Sequence, residues 1–384
     1  MSVLRERGST GVGPVELFFD LVYVFAITQL SHFLLHHLDI AGALEFAVLF
    51  AAVWWGWNYT AWAANWLDPN DRTVQSWFAM WMFASLGMAV AVPEAYGDRA
   101  WLFVVSYLAL QLSRAAFMVW AWRGQVMSRN YAQLLAWSAI AGVVWVAGVF
   151  TPEAARVWVW LGAVLLDYLG PRVNFWLPRL GSTPMSTWPL SEDHLAERNR
   201  LVFIVALGES IVILGATLTG TTLTASAVIA SILGFTTIVV LWQLYFATPH
   251  GNIEHERIAL ERATEVSRSA YAYAHALMVA GAVVIAVGVE LVLAHPWDTA
   301  DAAAIATVLG GPAIYLVGNV VFNRAISGRI AASRIAALAG LAVLALIGFA
   351  LPVLVLAALA LAVLLLLALA ASGWFRLPSM NVES

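Results

Sequence analysis

Residues 16–32 read ELFFDLVYVFAITQLSH. Two acids, a Gln and a His interrupt what is otherwise the composition of a lipid-spanning helix. Glu16 and Asp20 stand four residues apart and so share one helical face. Ionisable side chains inside a spanning segment are costly and turn toward protein or water, which makes this face a candidate functional surface.

The flanking chain has the same character. Of its 384 residues, 62% are hydrophobic and 11% charged, so the solvent for most of it is lipid. Apolar runs of about 20 residues, the length that crosses a bilayer core, occur at 14–36, 41–66, 73–92, 100–122, 131–150 and 154–175. After the polar stretch GSTPMSTWPLSEDH come 195–217, 223–248, 263–293, 302–322, 330–350 and 353–374. The sequence therefore predicts an all-α polytopic membrane protein with about 12 transmembrane helices. Lysine is absent, and all 19 basic residues are Arg. With a cytoplasmic N-terminus, sixteen fall on inner loops and tails, Arg99 and Arg156 on outer loops, and Arg114 inside a span. That bias is the positive-inside pattern, and it predicts that both termini are cytoplasmic. No basic region, short apolar core and cleavage site precede the first span, so it is expected to be retained. The absence of Cys excludes disulfides and thiolate chemistry, and a net charge of −4 argues against a nucleic-acid partner.

Internal similarity suggests duplication. ELFFDLVYVFAITQLS from Glu16 lies over ERNRLVFIVALGESIV from Glu197 without a gap; AVPE at Glu94 matches VGVE at Glu290, and LSRAA around Arg114 matches FNRAI around Arg324. The order is kept. This reading gives a cytoplasmic N-terminus (1–13), a first six-helix repeat (14–178), a cytoplasmic linker (179–192), a second six-helix repeat (193–375) and a cytoplasmic tail (376–384). An even helix count makes the repeats parallel, about an axis along the membrane normal.

The motifs GPVELFFDLVYVFAITQLSH, WWGWNYTAWAANWLDPND, AVPEAY and HLAERNRLVFIVALGESIV resemble those of the bacterial low temperature requirement A (LtrA) family over nearly the whole chain. Asn199, Arg200 and Ala247 depart from its pattern. The family name records a growth phenotype in the cold and implies no mechanism; membership implies the inner (plasma) membrane of a bacterial cell. The first helix is also similar, more distantly, to that of the lysosomal and bacterial potassium channels with a Phe-Ser-Asp signature. Phe18, Asp20, Val22, Ala26, Ile27, Thr28 and Leu30 hold matching places, with Phe19 in place of the Ser. That likeness implies that helices 1 and 7 line a pathway.

On this reading Glu16, Asp20, Thr28, Gln29, His32, Glu197, Glu209 and Ser210 are the expected pathway or coupling residues. Val24, Ile27, Leu30, Ile204, Leu207 and Ile211 form the expected apolar constriction, the kind that gates by dewetting. For Asp20, structural anchoring competes with ion contact; for Glu209, a hydrogen-bonded neutral state competes with cation or proton binding. Glu94–Arg114 and Glu290–Arg324 are expected as structural ion pairs, although Arg324 also suits a snorkelling interfacial position. His194 and Glu197 have an H-x-x-E spacing and His36-His37-x-Asp39 a clustered one, yet no second ligand pair accompanies either, and no metal or cofactor is expected. Asp167 is a deep acid without an assigned role. The 19 Trp, concentrated in helices 2 to 6, suggest interfacial belts.

The expected function is an ion channel or an ion- or proton-coupled transporter, with the bilayer and a monovalent cation or proton as partners. A channel is expected as a homodimer, because two leading helices enclose too narrow a pore; a monomer argues for a carrier. An intramembrane enzyme acting on a lipid-like substrate and a membrane stress sensor are the alternatives. The sequence has no GxSxG or HExxH motif and no Cys, so no catalytic residues are assigned.

Overall fold

The computed structural model describes residues 3–5, 11–184, 187–220, 222–246, 268–371 and 379–380. The protein is an all-α polytopic membrane protein; its one ladder among the described residues pairs Ile330–Ala331 with Ser379–Met380. Among the described residues thirteen α-helices follow in order: α1 (Pro14–His36), α2 (Ile40–Ala64), α3 (Arg72–Ala91), α4 (Ala100–Ala121), α5 (Val126–Val149), α6 (Glu153–Arg172), α7 (Glu192–Thr219), α8 (Ala225–Phe246), α9 (His275–Ala294), α10 (Ala302–Val308), α11 (Gly310–Ser327), α12 (Ala332–Ile347) and α13 (Val353–Ala371). With α10 and α11 read as one interrupted span, eleven segments among the described residues are long and apolar enough to cross a membrane. The remaining long helix, α6, carries Glu153, Arg156, Asp167 and Arg172, and these charges lower its mean hydropathy.

Helix ends follow local chemistry. Pro14 opens α1, where its missing N–H is no loss. The carboxylates of Asp39, Asp71 and Asp301 accept from backbone N–H groups in the first turns of α2, α3 and α10.

The described residues divide into two compact units, one running up to Arg198 and the other from Asn199 onward. The first holds α1–α6 and the opening turns of α7. Its central element is α2, which is apolar all round and buries nearly every residue from Val48 to Ala64. The core is aromatic: Trp55, Trp57, Trp81, Trp145 and Trp160 are each 1% exposed or less. These five correct the expectation of interfacial belts. Three of their indole N–H groups have buried acceptors, Trp57 on Asp20, Trp145 on Asp167 and Trp160 on the Trp145 carbonyl, which makes full burial affordable.

In the second unit, a π-helical turn at Arg268–Ala274 leads into α9, which packs closely on α11. A Cβ added at Gly281 would lie 2.6 Å from the Tyr315 backbone nitrogen, and one at Gly318 would lie 2.7 Å from the Ala274 carbonyl. Only glycine permits this approach of two backbones. The two helices run antiparallel, with Gly311 beside Ile285 and Gly318 beside Ala274.

Candidate functional site

The acid pair on α1 meets a complementary pair on α7. Glu16 and Asp20 are four residues apart, and so are His194 and Arg198. The two helices run in the same direction over this stretch, so each residue meets its counterpart. His194 Nε2 lies 2.8 Å from Glu16 Oε2. Arg198 bridges the acids, donating from Nη1 to Glu16 Oε2 at 2.9 Å and from Nη2 to Asp20 Oδ1 at 2.5 Å. Trp57 Nε1 donates to the same Asp20 oxygen at 2.8 Å, and the Arg198 guanidinium lies over the Trp57 ring. Glu16, Asp20, His194 and Arg198 are all at most 2% exposed.

A fifth residue closes the cluster at the amino-terminal end. Val3 and Arg5 pair through their backbones with Asp68 and Trp66. This strap places Arg5 Nη2 2.8 Å from Glu16 Oε1, while Nη1 donates to the Gly11 carbonyl and Nε to that of Leu67. Glu16 Oε1 also accepts from Gly13 N–H at 3.2 Å, so the same carboxylate caps α1.

Asn65 holds the other side of the imidazole. Its Oδ1 accepts from Ser191 N–H at 2.9 Å and its Nδ2 donates to the Ser191 carbonyl at 2.8 Å, which fixes the amide orientation. Nδ2 then faces His194 Nδ1 at 3.4 Å. That contact and the shorter one from Nε2 to Glu16 together suit a lone pair on Nδ1 and a proton on Nε2, which Arg5 Nη2 also approaches at 3.4 Å. In that tautomer the two carboxylates and the two guanidiniums balance in charge. Asp20 Oδ2 and Arg198 Nε have no hydrogen-bond partner among the described residues, so the cluster retains an unused acceptor and an unused donor.

A cavity of about 840 Å³ lies on the other side of Arg5, between the ends of α2 and α4 and the starts of α5 and α7. Arg5 and Asn65 belong to both the cavity wall and the cluster.

Deeper in the same unit lies a second buried centre. Tyr107 Oη donates to Asp167 Oδ2 at 2.7 Å and Trp145 Nε1 to the same oxygen at 3.1 Å. Gln111 Nε2 donates to Tyr107 Oη at 2.9 Å, and Gln111 Oε1 accepts from Arg114. Arg114 also donates to Thr60 Oγ1 at 3.0 Å and to the Gly56 carbonyl at 3.2 Å. Asp167 and Arg114 therefore compensate one another through two intervening side chains.

The family profile for the bacterial low temperature requirement A protein (LtrA) matches residues 11–370. The chain belongs to the LtrA family. It is also similar to a curated relative, uncharacterized protein RA0937 of Rhizobium meliloti (strain 1021), with 33% identity over 317 residues covering 82% of this chain and 77% of the relative. No solved structure matches.

In this LtrA-family chain the expected residues separate into those that meet and those that do not. Glu16 and Asp20 face inward as expected, but Glu197 is exposed, on a different side of α7 from His194 and Arg198. That also removes the H-x-x-E metal pair, and no group of three His, Asp or Glu able to hold a metal occurs among the described residues. Thr28 is half-buried and bonds the carbonyl of Val24 in its own helix; Gln29 is half-buried and His32 exposed. Ile27 and Leu30 are buried and Val24 half-buried. Leu207 is buried while Ile204 and Ile211 are both 44% exposed. Glu209 and Ser210 are buried in the second unit; Ser210 bonds the Ala206 carbonyl, and Glu209 Oε1 has no partner among the described residues.

Neither expected structural ion pair forms. Glu94 is exposed just past the end of α3, whereas Arg114 is buried fourteen residues along α4, roughly 20 Å further down the axis. Glu290 lies near the end of α9 and Arg324 near the end of the antiparallel α11, at opposite ends of that pair. Arg324 is exposed. Sequence reasoning missed His194, Arg198 and Asn65 as partners of the acids, and Tyr107 and Gln111 as the link between Asp167 and Arg114. The available signal was the H-x-x-x-R spacing of α7, complementary to E-x-x-x-D of α1.

Proposed function

We propose that this protein is a proton-coupled membrane transporter whose coupling centre is the Glu16–His194–Arg198–Asp20 cluster. The observation that carries this reading is the inward-facing acid pair, fully withdrawn from solvent and held by an imidazole between a carboxylate and an amide. A buried network this completely charged is expensive to maintain without a use for it. Its chemistry suits a proton better than a metal cation. Arg5 and Arg198 already neutralise both carboxylates, so K⁺ or Na⁺ arriving there meets two guanidiniums, whereas a proton needs only a lone pair on the imidazole or a carboxylate. The arginine distribution supports an orientation with the Arg5 face toward the cytoplasm. A carrier of this kind works as a monomer.

A pH jump applied to the protein reconstituted on a solid-supported membrane tests this. Proton binding at the cluster gives a transient charge displacement in the wild type that Glu16→Gln removes. Absence of the transient in folded wild-type protein, or a sustained K⁺ current at constant pH, contradicts the proposal.

A further inference from the structure

The cavity beside Arg5 is more than an approach to the cluster. Its volume of about 840 Å³ lies within the span of small-molecule sites, about 300–1,000 Å³. Trp66, Trp122 and Met127 supply apolar lining, Asn65, Gln125 and Ser191 polar lining, and Arg5 is the one charged residue in the lining among the described residues. The indoles give a flat organic body a surface to lie against. A cation is opposed by Arg5, and a neutral solute leaves Arg5 on Glu16. A carboxylate instead matches the guanidinium fork and competes directly with Glu16 for it.

We propose that this cavity binds a small organic carboxylate with an apolar, ring-sized body, and that the anion draws Arg5 from Glu16 so that a proton enters the cluster with it. The inference rests on the proton-coupled reading above and names its substrate class. The groups facing Glu16 are Arg5 from the strap, the Gly13 N–H, His194 and Arg198 from α7, and Asp20 one turn along α1. With Arg5 engaged by the solute, this set is one positive charge short. A proton from water on the Arg5 face, accepted by Glu16 Oε1 or by the imidazole, restores the balance. One negative and one positive charge enter together, and the buried cluster stays neutral. Asn65 adds a mechanical link, because it lines the cavity while holding the Ser191 backbone and facing His194 Nδ1.

Isothermal titration of the purified full-length protein with benzoate, phenylacetate and hexanoate, in buffers of different ionisation enthalpy, reads affinity and proton uptake together. The expected result is saturable binding of at least one of the three, with about one proton taken up per anion and no binding of the cationic control benzylamine. Arg5→Gln weakens binding about tenfold or more. Gln125→Trp fills the cavity from its exposed rim, away from the acids, and abolishes binding with unchanged thermal stability. Glu16→Gln binds the anion but takes up no proton. Failure of all three anions to bind folded wild-type protein overturns the inference, as does unchanged affinity in both cavity variants or binding without proton uptake. Transient currents after a pH jump without anion binding overturn this inference alone; anion binding without such currents overturns the transporter reading alone.

Discussion

Arg198 and Asp20 meet at 2.5 Å with both side chains shut off from solvent. Because Arg198 also holds Glu16, one guanidinium fastens the opening turns of α7 to α1. Removing one member of a buried pair strands the other charge, at a cost of about 3–5 kcal/mol. Arg198→Met is therefore expected to lower the melting temperature of the detergent-purified protein sharply, and adding Asp20→Asn to recover part of the loss. A fall no larger than that of an exposed substitution such as Glu197→Gln contradicts this packing.

Trp57 separates packing from hydrogen bonding. Trp57→Phe keeps much of the aromatic contact but removes the N–H that Asp20 accepts. The expected loss is about 1–3 kcal/mol, and it disappears when the substitution is made in an Asp20→Leu background, which has no acceptor. A double-mutant cycle of unfolding midpoints checks this; additive effects of the two changes argue against the contact.

The bilayer architecture was legible because an apolar run of 20 residues with few charges has one stable form in lipid. Glu16 and Asp20 stood out for the same reason. Their partners did not, because the overlay of α1 on α7 set Glu16 against Glu197, and sequence alignment carries no helical phase. In space Glu16 lies beside His194 and Arg198, and Glu197 points to solvent. The mistaken pairing of Glu94 with Arg114 has a related origin. Neighbouring helices were recognised, but the level of each residue along the membrane normal was not. Asn65 and Gln111 carry no charge and gave no signal, although each fixes the geometry of an ionisable neighbour.

Asp167 and Arg114 are predicted to behave as a pair despite the absence of direct contact. Arg114→Gln or Asp167→Asn alone lowers stability by about 3–5 kcal/mol, and the double variant by less than the larger single loss. Gln111→Leu, which breaks the bridge from Tyr107 to Arg114, reduces that coupling. Thermal unfolding of the wild type, the two single variants and the double variant, each with and without Gln111→Leu, decides it, and strict additivity contradicts the linked-pair account.

The α9–α11 contact is predicted to tolerate no side chain. Gly318→Val forces apart backbones in contact through Ala274 and costs about 1–3 kcal/mol or more by overpacking. Gly208→Ala, where a Cβ meets nothing within 4 Å, leaves the unfolding midpoint unchanged or raises it slightly. Equal effects of the two substitutions contradict this arrangement of the second unit.

The central claim is that α1 and α7 enclose one charge-balanced cluster with a neutral imidazole inside it. Nitrogen-15 NMR of the histidine-labelled protein, with the His194 signal identified by its loss in His194→Gln, tests this most directly. The account predicts one protonated and one bare ring nitrogen at neutral pH, the proton on Nε2 and slow to exchange with water. Two protonated nitrogens, or a ring proton exchanging at the rate of a free imidazole, would contradict it.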